Sequence, residues 1–300
     1  MNKFTLDEML FAIGHFPSAN TTEKFSLFID QMNKYFPGIL VKEPYATSDK
    51  TKKLSPEKKA SFMSYLEKLD LQRVIDQYKK KNIRLLHILS PDYPEQLKHI
   101  YIPPVVLFYQ GDIALLKKYT LLGVVGSRDY TPYGKKVVDV ILSDLLKQTN
   151  REIGIISGLA KGIDTEAHLT TIKQAGHTIG VVGTGLDVFY PHKNKMLQEI
   201  MGRDHLVLSE YPIGSKPLPY HFPERNRIIA GLSRGVLVIE SKESSGSLIT
   251  AYNAIEESRD VFVIPGSIFE EHRLGNHKLI KLGAILVQSS DDILAEWVFI

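Results

Sequence analysis

Apolar positions recur with two different rhythms along the chain, and the change falls near residue 85. Before it they keep helical spacing. Phe4, Met9, Leu10 and Ile13 predict one short amphipathic helix, and Phe25, Phe28, Ile29, Met32 and Phe36 a second. Ser55-Pro56-Glu57 reads as an N-cap followed by proline at the first helical position, where a missing N–H costs nothing. Phe62, Tyr65, Leu66 and Leu69 supply the stripe that follows, and Val74, Ile75 and Tyr78 repeat the spacing between Leu71 and Lys81. Residues 1–85 thus predict a bundle of four or five short helices. From Ile83 to Tyr119 the chain is broken by Pro91, Pro94, Pro103 and Pro104, with Val105–Tyr109 as a short strand, and this segment is expected against the second domain at the edge of its sheet.

From Thr120 the pattern becomes short, continuous apolar runs: Leu121–Val125, Ile153–Ser157, Thr178–Val182, Leu206–Ser209, Val236–Glu240, Val261–Ile264 and Ile285–Val287. Continuous rather than alternating runs suit strands covered on both faces. Helical segments such as Val137–Leu146 and Ile163–Gln174 intervene. This β-α alternation predicts an α/β fold with a doubly wound, mostly parallel, Rossmann-like sheet. Two domains are expected, residues 1–85 all-helical and 86–300 Rossmann-like.

Composition changes this picture little. The 300 residues are 43% hydrophobic and 24% charged, with no cysteine, which removes disulfides, thiolate nucleophiles and cysteine metal sites. Met1-Asn2-Lys3 leads into no long apolar run, and Gly14-His15 interrupts Phe11-Ala12-Ile13, so neither signal peptide nor membrane span is expected and the cytoplasm is the expected compartment. The net charge of +3 indicates no particular partner. Its distribution is uneven: Lys50, Lys52, Lys53, Lys58 and Lys59 cluster, as do Lys79, Lys80 and Lys81. Such runs read either as solvated faces or as a basic surface.

In open α/β sheets ligands bind beyond the carboxyl ends of the strands. The loops there read Gly126-Ser127-Arg128, Ser157-Gly158-Leu159-Ala160-Lys161-Gly162, Gly183-Thr184-Gly185 and Ser244-Ser245-Gly246-Ser247. Glycine and hydroxyl residues ahead of helices present backbone N–H groups and positive dipole ends, which suits an anion. Arg128, Lys161, His192, Lys193 and Lys195 add basic side chains, and Phe222-Pro223-Glu224-Arg225-Asn226-Arg227 opens another helix. Phe189, Tyr190, Tyr220 and Phe222 could stack bases, so phosphate grips with aromatics suggest single strands. Each loop alone is only a strand-to-helix turn, and Arg225 or Arg227 could instead pair with Glu210 or Glu240. A dinucleotide cofactor is disfavoured because Arg128 stands where the second glycine of G-x-G-x-x-G should admit a pyrophosphate. A nucleotide-processing Rossmann enzyme is the alternative, with Asp164, Glu210 and Glu240 placed as carboxylates and Asp164–His168 spaced i, i+4. No nucleophile, base and orienter assemble, so no catalytic residue, cofactor or metal is expected.

Together Val124-Val125-Gly126-Ser127-Arg128, the run Ser157–His168, Gly183–Asp187, Tyr190-Pro191, the run Phe222–Ser233 and Ser245–Ala251 resemble the DNA-processing protein A (DprA, Smf) family, from about Tyr93 to the C-terminus. The helical N-terminus is similar to the sterile-alpha-motif-like (SAM-like) domain of many members. The resemblance implies a non-enzymatic, dimeric protein that binds single-stranded DNA entering during natural transformation. Such a protein protects that DNA, acts against the barrier of single-strand-binding protein and loads the RecA recombinase. It implies that Arg128 and the basic loop after Tyr190-Pro191 grip phosphates, beside the Gly183-Thr184-Gly185 and Ser245-Gly246-Ser247 loops. In some members a lysine directly follows that Tyr-Pro pair; here it is His192, with Lys193 next. Many members add a C-terminal winged helix, which is not expected in this sequence. The related nucleotide-hydrolysing group would show a P-G-G-x-G-T loop, and none is present. The implied dimer surface is Ile268–Val287, with His277, Leu282, Ile285 and Leu286 as candidates; an ordinary edge strand and helix is the other reading.

Overall fold

The structure is a computed structural model that describes residues 4–36, 39 and 54–297. Lys50, Lys52 and Lys53, Met1-Asn2-Lys3 and Ile300 lie outside the described residues. The chain divides into two compact units. The first runs from the N-terminus to Gln110 and also takes Thr184–Val188 and Leu208–Lys216; the second holds Gly111–Gly183, Phe189–Val207 and everything from Pro217 on.

Four helices of the first unit follow the apolar spacing, each started by a local signal. They are α1 (Leu6–His15), α2 (Thr21–Tyr35), α3 (Pro56–Lys68) and α4 (Leu71–Lys80). Thr5 with Glu8, and Asn20 with Glu23, form capping boxes that satisfy two orphan N–H groups each. Ser55 caps α3 ahead of Pro56, and Asp70 caps α4. Leu10, Ile13, Phe25, Phe28, Met32 and Phe62 are fully buried. The chain then adds β1 (Arg84–His87), α5 (Glu95–Lys98) and β2 (Val106–Gly111). β1 pairs antiparallel with β2. It carries one buried residue, Leu86, and so gives no apolar rhythm to read.

The first compact unit continues past residue 85 to Gln110, for a packing reason. Gly14 of α1 lies so close to Val106 of β2 that a Cβ there would stand 2.8 Å from the valine Cβ. Phe11 packs edge-on to Tyr78 at 5.2 Å and to Phe108 at 6.3 Å. β1 and β2 complete the core of the helical unit.

The second unit carries α6 (Leu115–Lys118), β3 (Thr120–Val125), α7 (Pro132–Gln148), β4 (Ile153–Ser157), α8 (Ile163–Lys173), β5 (Thr178–Val182), α9 (Lys195–Asp204), the start of β6 (Leu206–Ser209), α10 (His221–Leu232), β7 (Gly235–Val238), α11 (Gly246–Glu256), β8 (Asp260–Val263), α12 (Leu274–Lys281), β9 (Ile285–Leu286) and α13 (Ser290–Glu296). Its strands run in the order β6-β5-β4-β3-β7-β8-β9. The pairs β4–β3, β3–β7, β7–β8 and β8–β9, and β5–β4, are parallel. The fold is thus α/β with a mostly parallel, Rossmann-like sheet and helices at the N-terminus. β3, β4, β5 and β7 are buried along nearly their whole length, which is why their runs are continuous. One face is covered by Val138, Ile141, Leu142 and Leu145 of α7, the other by Leu248, Ala251 and Ala254 of α11.

The order also locates the functional edge. From β3 the chain builds outward through β4, β5 and β6, then returns to lay β7 on the other side of β3. The reversal leaves a crevice beyond the carboxyl ends of β3 and β7. Among the described residues no helix is long and apolar enough to cross a membrane.

Candidate nucleic-acid interface

A crevice of about 630 Å³ lies at that reversal, lined wholly by residues of the second unit. The loop after β3 gives Gly126, Ser127, Arg128 and Asp129; the loop after β7 gives Lys242 and Ser244 to Ser247; α10 gives Phe222, Arg225 and Asn226. A second cavity of about 350 Å³ is lined by Arg128, Asp129, Lys161, Lys193 and Glu166, among others. Arg128 belongs to both.

Local rules build each wall. Thr131 accepts from Gly134 N with Pro132 at the first helical position, so α7 starts directly after the Gly126–Asp129 loop. Gly126 must be glycine because a Cβ would stand 2.6 Å from Ile163 Cγ1. Gly162 has φ +97°, and a Cβ there would stand 2.3 Å from the Ser127 carbonyl oxygen. Ser127 is buried and its Oγ accepts from Asp129 N at 3.1 Å. Ser245 caps α11 by accepting from Ser247 N, and Ser247 Oγ donates to Ser241 Oγ at 3.0 Å. Gly246 faces open space. Its N–H is one of the helix-start donors that an anion can take.

The basic residues divide by burial. Arg128 is exposed, with its guanidinium 5.6 Å from the Phe222 ring centroid. Arg225 is buried; its Nη1 donates to Gly158 O at 2.6 Å and also to Val181 O, tying the ends of β4 and β5 together. Asn226 Nδ2 donates to Gly246 O at 3.3 Å. Arg227 lies outside both linings and donates to Glu224 O. Of the loop after Tyr190-Pro191, Lys193 lines the smaller cavity; Lys195 pairs with Glu199 at 3.8 Å and lies over the Phe189 ring, and His192 is exposed outside both linings. Lys161 pairs with Asp129. Tyr190 and Phe222 both line the large crevice, 5.5 Å apart. Gly183 is not among the lining residues, and its carbonyl oxygen lies 3.0 Å from His221 Nδ1. Thr184 and Gly185 belong to the first unit and are buried there, with Ser209 Oγ donating to Thr184 O.

The carboxylates placed as catalytic alternatives have structural partners. Glu240 is buried and accepts from Arg273 Nη2 at 2.7 Å and from Thr131 N at 2.9 Å. It therefore pairs with Arg273, not with Arg225 or Arg227. Asp164 lines the crevice; burial pushes its carboxyl up, opposed by Arg225. His168 is fully buried and bonded to Thr178, and burial pushes it down to about 3. Glu210 is buried in the first unit.

Two contributors escaped sequence reading. Asn194 donates to Leu159 O at 2.9 Å and to Thr165 Oγ1 at 2.8 Å, anchoring the Lys193 loop to the loop after β4. Arg273 reaches Glu240 across 33 positions of chain. Neither residue sits in a periodic pattern, so no sequence signal marks it. At the surface β9 pairs on one side only among the described residues; Leu282 and Leu286 are exposed, Ile285 is half-buried, and His277 Nε2 lies 3.0 Å from Gly266 O.

Fold and site define a Rossmann-like protein whose switch-point crevice combines helix-start N–H groups, hydroxyls and arginine. The family model described as DNA recombination-mediator protein A matches residues 84–298. The chain is 50% identical over 240 residues to DNA processing protein DprA of Streptococcus pneumoniae, covering 80% of this chain and 83% of the relative. It is 46% identical over 226 residues to DprA of Bacillus subtilis, covering 75% of each. The solved structure of the Streptococcus pneumoniae protein superposes with a TM-score of 0.83 at 41% identity, over 100% of both chains. A structure of DNA processing protein A from Helicobacter pylori, described for its single-stranded DNA binding mode, gives a TM-score of 0.61 at 28% identity, over 71% of this chain and 94% of that one. The chain belongs to the DNA recombination-mediator protein A family, DprA or Smf.

Proposed function

We propose that this protein binds single-stranded DNA by its backbone in the switch-point crevice, as a mediator rather than a catalyst. The observation that carries the reading is Arg128: an exposed residue that lines two cavities, shares the larger one with the helix start at Gly246 and lies over the Phe222 ring. Phosphate oxygens suit such planar donors and backbone N–H groups. Tyr190 and Phe222 offer ring faces for stacking that any base can use. A catalytic role lacks support, since Glu240 is held by Arg273 and His168 is buried against Thr178. Family membership supports the wider role: a homodimer joined through the β9 edge, receiving incoming DNA in the cytoplasm, working against single-strand-binding protein and passing the strand to RecA.

Fluorescence anisotropy with labelled oligo-dT tests the reading. Binding should weaken linearly in log–log with salt, at a slope of about −0.7 per phosphate contacted. The double variant Arg128→Ala, Lys193→Ala should bind at least about tenfold more weakly, with a slope shallower by about 1.4. Undetectable or salt-insensitive binding by the parent, or parental binding by the double variant, overturns it.

A further inference from the structure

The smaller cavity raises a separate question. Arg128, Lys161 and Lys193 all line it, and they come from three different loops, after β3, β4 and β5. Two carboxylates share the lining. Glu166 is already engaged, with Lys135 Nζ at 3.1 Å and the Tyr130 hydroxyl donating at 2.7 Å. Asp129 is different: it follows Arg128 directly and its Oδ1 takes Lys161 Nζ. Hydrogen bonding and attraction from Lys161 hold the Asp129 carboxyl below its usual range, so it stays an anion. Both partners are largely exposed, at 51% and 77% of their side-chain surface. An exposed ion pair of this kind contributes little to stability and exchanges readily.

We propose that this cavity is a second phosphate subsite for the strand bound in the crevice, held by Lys161 and Lys193, and that Asp129 occupies it as an internal counter-anion which an incoming phosphate displaces. The inference rests on the reading under Proposed function and adds to it the path of the strand and a brake on its affinity. Arg128 lines both cavities, so one guanidinium can serve successive phosphates on either side of it. The loop geometry supports a seat of fixed shape. Asn194 ties the Lys193 loop to Leu159 O and Thr165 Oγ1, and Ile163 N donates to Ser127 O, joining the loops after β4 and β3. After displacement the Asp129 carboxylate remains beside the DNA as a like charge. It therefore lowers affinity twice, by neutralising Lys161 in the free protein and by repelling phosphate in the complex.

The test is a double-mutant cycle read by anisotropy with labelled oligo-dT across a salt series, using the full chain. Asp129→Asn should bind several-fold tighter at low salt, with a log–log salt slope steeper by up to about 0.7 as Lys161 is freed for phosphate. Lys161→Ala should bind more weakly, and adding Asp129→Asn to it should restore clearly less than the same change gains in the parent, because only the repulsion of phosphate is then relieved. An Asp129→Asn protein with the parental urea midpoint and parental or weaker affinity overturns the proposal. So does an equal gain with and without Lys161, which would make Asp129 a general charge rather than the occupant of the seat. A parent that binds no oligo-dT defeats the underlying reading; a parent that binds while the Asp129→Asn protein binds no tighter defeats this inference alone.

Discussion

At the residue scale, two arginines in one crevice do different work, and burial separates them. Arg225 is enclosed and spends its guanidinium on the carbonyls of Gly158 and Val181. Arg225→Ala should therefore unfold at lower urea, losing about 2–4 kcal/mol as those carbonyls are left dry and unpaired. Arg128 is exposed, so Arg128→Ala should keep its unfolding free energy in urea within about 0.5 kcal/mol of the parent while its affinity for single-stranded DNA drops. Sequence alone placed both among the phosphate grips, with an ion pair to Glu210 or Glu240 as the alternative for Arg225, because the two positions look alike in a string. What separates them is a fold-level fact, the approach of Gly158 so close to Arg225 that a Cβ would touch its guanidinium. The Glu240–Arg273 pair was likewise unreadable, since nothing in the spacing of 33 residues brings those side chains together.

At the scale of elements, the strands were legible because each buried one is a run of apolar residues ended by glycine, serine, proline or a charge. β1 was not, since only Leu86 of its four residues is buried. The helix starts were legible where caps are chemical: Thr131-Pro132 at α7 and Ser55-Pro56 at α3. The loop Gly183-Thr184-Gly185 was read by analogy with its neighbours, yet the unit boundary passes through it. The turn into α8 depends on Gly162, with φ +97° and the Ser127 carbonyl oxygen against it. Gly162→Ala should cost about 1–3 kcal/mol in strain and displace the Ser127-Arg128 segment, weakening DNA binding beyond what the stability loss explains. At the other end β9 has an open side with Leu286 exposed. Leu286→Arg should convert a dimer to a monomer by light scattering; an unchanged mass places the interface elsewhere.

For the whole molecule, the buried imidazole of His168 and four half-buried ones set the pH response. Burial is the largest cause of the lowered values of His15, His87, His168, His177 and His205, and His168 falls to about 3. Above pH 6.5 His168 is neutral in folded and unfolded chains alike, so it leaves stability unchanged. Below that the unfolded chain takes up a proton that the folded one refuses, and stability falls with pH, by about 1.4 kcal/mol per unit from His168 alone. Urea midpoints should be level from pH 8 to 7 and decline from pH 6.5 to 5, with His168→Gln flattening the decline. An unchanged midpoint at pH 5 would contradict the burial of these rings.

One placement is central to the proposed function: a single DNA strand runs by its phosphates through the crevice where β3 and β7 end. A crystal structure of the protein with a short oligo-dT tests it most directly. The predicted result is a phosphate within hydrogen-bonding distance of Arg128 and of the Gly246 N–H, with a base against Tyr190 or Phe222. A strand bound elsewhere on the protein, with the crevice holding no phosphate, would contradict it.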